Sequence, residues 1–204
     1  VIFATRTEER TKTRGEDRIV VVSLVDRTVI VVADGAGGTG GGAAAAQAVC
    51  DAVTQRCALV PPPSWEAWLT DLDAQMPRAG LAAAVIAEVR LSGGITGASV
   101  GDCEAWVFAG AQQIELTANQ VRKPLLGEGQ SRPIGFESHV PGLLVMATDG
   151  LWKYAKRDHV VAALAVRPLD AALTALVDAT RLRSGALQDD VAIAIYDVEA
   201  ARQS

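Results

Sequence analysis

Two β-branched runs, Arg18–Val25 (RIVVVSLV) and Thr28–Ala33 (TVIVVA), are separated only by Asp26-Arg27. A connection that short joins neighbouring antiparallel strands, so the chain opens its core with a hairpin. Further strand-like runs follow at Leu81–Leu91, Ile95–Val100, Glu104–Phe108, Gln112–Leu116, Leu143–Ala147 and Val191–Val198. Sequential strands with short turns between them build antiparallel sheet. Helices are predicted at Ala43–Leu59, ended by Pro61-Pro62-Pro63, and after Ser64, a suitable N-cap for a stripe of Trp65, Trp68, Leu69 and Leu72. That stripe reads as core. Two more helices are predicted at Arg157–Val166 and Leu169–Leu182, and Lys123–Gly142, rich in Gly and Pro, reads as an irregular excursion.

Composition narrows the function classes. Of 204 residues, 50% are hydrophobic and 21% charged, enough apolar surface for one self-sufficient domain spanning residues 1–204. The net charge of −5 and the absence of a Lys/Arg-rich run argue against a nucleic-acid partner, which needs a basic surface to displace counterions. Cys50, Cys57 and Cys103 are odd in number and form no CxxC pair, which disfavours a disulfide framework or thiolate zinc and fits a reducing cytoplasm. No apolar run reaches the ~18 residues of a membrane span.

The chemistry lies in aspartates at the ends of apolar strands: Asp34 after VIVVA, Asp102 after ITGASVG, Asp149 after LLVMAT, and Asp189-Asp190 before VAIAIYDV. Any one alone reads as a turn-capping residue. A carboxylate at the edge of a buried strand loses hydration, however, so several of them are costly unless they converge on cations or donors. The repeated context, with Gly beside three of them, points to a shared oxygen-ligand metal site. With only His139 and His159 in the chain, carboxylates and carbonyls suit Mg²⁺ or Mn²⁺ rather than zinc or copper.

The ordered motifs Arg14-Gly15-Glu16-Asp17, Asp34-Gly35-Ala36-Gly37-Gly38, Gly101-Asp102-Cys103, Asp149-Gly150-Leu151-Trp152 and Asp189-Asp190-Val191-Ala192 resemble those of the type 2C, metal-dependent protein phosphatases, from about residue 10 to residue 198. The resemblance implies an α+β fold, an α-β-β-α sandwich of two antiparallel sheets flanked by helices, with the metals at one end. It implies hydrolysis of phosphoserine and phosphothreonine in a protein substrate, opposing a Ser/Thr kinase, with two Mn²⁺ or Mg²⁺ ions and a weaker third. Carried over, Asp34 bridges two metals and the Gly35 carbonyl binds one. Glu16 completes the second ion's shell, with Asp17 nearby through water; Asp149 and Asp189 bind the first, and Asp102 with Asp149 the third. A non-catalytic phosphate-binding regulatory module of the same fold is the alternative.

This chain departs from the family pattern in places. Lys12 stands where the family has a phosphate-binding arginine, leaving Lys12, Arg14 or Arg10 to hold phosphate, and Lys lacks the guanidinium fork. Ala36 replaces a histidine found in some members, Asp190 replaces a common Asn, and Lys153-Tyr154 follows Trp152 where an acidic residue is usual. The segment from Leu116 to Asp149 is short for the flap of bacterial relatives.

Two motifs act as decoys. Gly35–Gly40 matches GxGxxG between strand and helix, but a dinucleotide fold needs a parallel strand after that helix. Gly97-Ala98-Ser99-Val100-Gly101 matches GxSxG, yet a strand pattern follows where a nucleophile elbow needs a helix. Cys103, with no basic neighbour to hold a thiolate, reads as a packed small residue.

Overall fold

The computed structural model describes residues 2–11, 15–36, 41–57, 59, 64–76 and 80–203. In chain order the elements are β1 (Phe3–Glu8), β2 (Arg18–Ser23), β3 (Arg27–Ala36), α1 (Gly42–Cys57), α2 (Trp65–Gln75), β4 (Leu81–Arg90), β5 (Ile95–Val100), β6 (Glu104–Ala109), β7 (Gln112–Glu115), β8 (Ile134–Ser138), β9 (Leu143–Ala147), α3 (Asp149–Trp152), α4 (Arg157–Leu164), α5 (Leu169–Asp178), β10 (Val191–Asp197) and α6 (Val198–Arg202). The strands form two five-stranded sheets, ordered β1-β10-β9-β6-β7 and β2-β3-β4-β5-β8, and the pairings are antiparallel.

Strand alternation decides which layer each side chain joins. On β3, Val29, Val31 and Ala33 pack outward with Val49, Val53 and Leu69 of α1 and α2, whereas Ile30 and Val32 point inward between the sheets. On β9 and β10, Val145, Ala147, Ile193 and Ile195 face Val160, Leu173 and Leu176 of α4 and α5, while Leu144, Met146, Ala192, Ala194 and Tyr196 face inward. The result is the α-β-β-α sandwich. Central strands covered on both faces read as unbroken apolar runs, and each fully buried Val, Ile or Leu contributes roughly 1.5–3 kcal/mol relative to exposure. Ser64 caps α2 as expected, its Oγ accepting the Ala67 N–H at 3.1 Å, and Trp65 and Leu69 join the core.

Several expectations are corrected. Residues 123–142 are not irregular throughout: they contain β8, which extends the second sheet by pairing with β5. The chain's first strand, β1, was not expected at all, and α4 and α5 end at Leu164 and Asp178, short of Val166 and Leu182. Ser99 sits inside β5, paired with Val85 and Ile134, so it is not on a nucleophile elbow. Because β3 and β4 pair antiparallel across α1 and α2, the dinucleotide reading is also removed. The expected Pro61–Pro63 stop lies outside the described residues. Among the described residues, no helix is long and apolar enough to cross a membrane.

Candidate metal centre

The alternation that builds the core also delivers the carboxylates to one end of it. Ile30 and Val32 point between the sheets, so Asp34, two residues on, takes the same inward face of β3, where it pairs with Ala83 at the start of β4. Asp17 precedes β2, whose Arg18 lies opposite Ala33. Asp102 follows β5, Asp149 follows β9, and Asp189-Asp190 precede β10, whose first residue pairs with the last of β1. Carboxylate oxygens of Asp34, Asp102 and Asp149 all lie within 4.8 Å of one another.

Two glycines make this convergence possible. A Cβ on Gly150 would run into the Asp190 carbonyl, so the tight approach of α3 to the start of β10 requires glycine beside Asp149. A Cβ on Gly42 would lie 2.7 Å from Glu16 Oε1 and 2.8 Å from the Gly35 carbonyl oxygen. Bare backbone at the start of α1 therefore leaves room for the Glu16 carboxylate beside the Gly35 carbonyl, two of the sequence-predicted ligands.

A web of hydrogen bonds fixes the remaining acids. The Thr148 hydroxyl accepts the Ala192 N–H at 3.0 Å, which leaves its proton to donate to Asp17 Oδ2 at 2.7 Å. Asp190 does not point a free carboxylate at the cluster: Oδ1 accepts the Arg10 N–H at 2.7 Å and Oδ2 the Glu16 N–H at 3.0 Å. It clamps the segment that carries Glu16 and flanks Lys12 and Arg14. Sequence reasoning missed Thr148 altogether and gave Asp190 no role. The doubled aspartate was the available signal for the clamp. Lys12 and Arg14 themselves lie outside the described residues.

The electrostatics are those of acids crowded away from water. Burial, then the charges of Asp17, Asp149 and Asp102, push Asp34 up to about 9. Burial likewise raises Asp17 to about 7 against the opposing Thr148 hydrogen bond, with the charges of Asp190 and Asp149 adding to the rise. Asp189 is raised by burial and by Asp149. Cys103, fully buried behind Asp102, is held well above the usual thiol range by burial and by four of these aspartates, which makes it inert packing. Among the described residues, the cation in contact with the clustered carboxylates is Lys153, whose ammonium pairs with Asp149.

This arrangement fits divalent metal. The donors are all oxygens, they come from separate elements held by the sheets, and among the described residues Lys153 is the cation paired with them. Of the predicted ligands, Asp34, Asp102 and Asp149 form the tight group. The charge of Asp149 acts on Asp189 and that of Asp17 on Asp34, and Glu16 and the Gly35 carbonyl both lie beside Gly42.

The sandwich defined by these sheets and helices is the architecture of the bacterial serine/threonine phosphatases. A bacterial serine phosphatase aligns with TM-score 0.78 and 18% identity over 97% of each chain. The S. agalactiae serine/threonine phosphatase aligns with TM-score 0.82 and 15% identity over 97% of this chain and 99% of that one. The catalytic domain of the serine threonine protein phosphatase PstP, solved in complex with two manganese ions, aligns with TM-score 0.74 and 16% identity over 96% of each. No family model and no curated protein matches the sequence.

Proposed function

We propose that the chain is a metal-dependent phosphatase acting on phosphoserine and phosphothreonine in proteins, with Mn²⁺ or Mg²⁺ as its cofactor. The observation that carries this reading is the convergence of Asp34, Asp102 and Asp149 from three separate strand ends to within 4.8 Å, in a fold shared with phosphatases. Asp34, Asp149, Asp189, Glu16 and the Gly35 carbonyl are the proposed ligands of two ions, with Asp17 beside them and Asp102 serving a weaker third. When bound, such ions activate water for in-line attack on phosphorus and neutralise the phosphoryl oxygens.

The chain's own residues position and prepare that centre. Thr148 holds Asp17 in place, and the Asp190 clamp fixes the Glu16 backbone. The same clamp flanks Lys12 and Arg14, the proposed phosphate-holding cations, of which Arg14 alone offers a bidentate fork. The substrate is then a phosphorylated protein supplied by an opposing kinase.

Hydrolysis of p-nitrophenyl phosphate and of a phosphothreonine peptide, each in millimolar Mn²⁺ and in EDTA, tests this reading. Turnover that requires the metal is expected. Undiminished turnover in EDTA contradicts the metal mechanism, and no turnover in either condition leaves the non-catalytic phosphate-binding module as the better account.

A further inference from the structure

Lys153 stands where the acidic cluster meets solvent. It closes the single turn of α3, its backbone N–H donating to the Asp149 carbonyl at 2.8 Å, and its side chain folds back so that the ammonium pairs with Asp149 Oδ2 in an i,i+4 ion pair. The Asp149 side chain is 13% exposed and that of Lys153 48% exposed. One partner is therefore fixed in the site while the other can swing into water without disturbing the core. Beyond Asp149, the ammonium also feels the charges of Asp102 and Asp189. Its positive charge is thus shared with three of the carboxylates assigned to metal.

Resting on the metal-centre reading above, we propose that Lys153 is a tethered counter-cation that competes with divalent metal for Asp149. An ammonium on Asp149 Oδ2 takes up lone-pair directions that an incoming ion would use, and a +1 charge left a few ångströms from a +2 ion repels it. Metal binding at Asp149 therefore works against this ion pair. In exchange, the metal-free protein gains a partial neutraliser for the cluster. Lys153 thereby sets the metal concentration at which the site fills.

The test is calorimetric titration of Mn²⁺ into chelator-washed wild type, Lys153→Met and Lys153→Arg, with thermal melts in EDTA and in Mn²⁺. Met keeps the length and apolar stem and removes the charge, whereas Arg keeps the charge. Losing the pair and the repulsion should tighten Mn²⁺ binding at the Asp149 side about tenfold, ~1.4 kcal/mol, in Lys153→Met. Lys153→Arg should stay within about threefold of wild type. Lys153→Met should also melt lower than wild type in EDTA and gain more on adding Mn²⁺, a pairing that a purely structural role would not produce. Unchanged or weaker Mn²⁺ binding in Lys153→Met overturns the competition, as does equal tightening in both variants, which would make shape rather than charge responsible. Failure of all three proteins to bind Mn²⁺ overturns the metal-centre reading itself and this inference with it.

Discussion

Replacing Asp34 by Asn removes the central charge of the cluster while keeping its shape. In the metal-free protein Asp34 is pushed up to about 9 and Asp17 to about 7, so at pH 7.5 the native state must either hold protons that the unfolded chain has released or keep like charges together. Each pKa unit between the native and unfolded states is worth ~1.4 kcal/mol. The neutral amide escapes the charge cost but still fills a partly buried site, so we expect the metal-free variant to be more stable than wild type by about 1–3 kcal/mol. For a chain of this length that is ~2–12 °C in Tm. Metal reverses the ranking: wild type at a hundredfold excess of Mn²⁺ over Kd should gain about 2.7 kcal/mol, or ~5–11 °C, while Asp34→Asn should gain little and lose turnover. Differential scanning calorimetry of both proteins in EDTA and in millimolar Mn²⁺ measures all four values. A variant that melts below wild type in EDTA and keeps the wild-type Mn²⁺ increment would refute the reasoning, because Asp34 would then be neither crowded by charge nor a ligand.

The raised carboxyls also set a pH dependence. Their native state binds protons more tightly than the unfolded chain does, so stability of the metal-free protein is greatest below pH ~4 from this source and falls as pH rises through about 7 for Asp17 and about 9 for Asp34. Urea denaturation at pH 5 and pH 8 in EDTA should show the decline, and a flat or rising trend would contradict it. Asp73, buried on α2, accepts the N–H groups of Gly127, Gly129 and Ser131 at 2.7, 3.0 and 2.8 Å; burial alone would raise its pKa, but the bonds from Ser131, Gly129 and Gly127 hold it low. Asp73→Ala should therefore cost about 2–4 kcal/mol by denaturation, and proteolysis should cut first within residues 127–131. Asp190→Ala frees the Arg10 and Glu16 N–H groups, so it should cost about 1–3 kcal/mol and raise KM more than it lowers kcat, by steady-state kinetics.

The fold was legible where strands are buried on both faces. Runs such as Val29–Ala33 and Leu143–Ala147 are continuously apolar because one set of side chains meets helices and the alternate set meets the other sheet. The two missed strands lie where that signal fails. Phe3–Glu8 is an edge strand whose last four residues, Thr5–Glu8, are all polar, and Ile134–Ser138 is an edge strand in which Gly135 separates its two large apolar side chains. The aspartates were legible from their position after apolar runs, since strand ends are where carboxylates can meet across a sandwich. Thr148 and Asp190 were not legible as positioning residues. A hydroxyl relaying a bond to Asp17 and a carboxylate clamping two N–H groups depend on partners between 44 and 180 residues away. The Lys153 pair with Asp149 was within reach of an i,i+4 reading, but only once Asp149–Trp152 is known to be a helical turn.

The most direct measurement of the central claim is the anomalous scattering of manganese in crystals of the chain grown with millimolar Mn²⁺. Two peaks are expected, both within ligand distance of the Asp34 carboxylate, one of them shared with Asp149 and Asp189 and the other with Glu16 and the Gly35 carbonyl. Crystals that show no peak within ~2.5 Å of an Asp34 oxygen, the outer range for oxygen ligands, would contradict the assignment of this cluster as a two-metal centre.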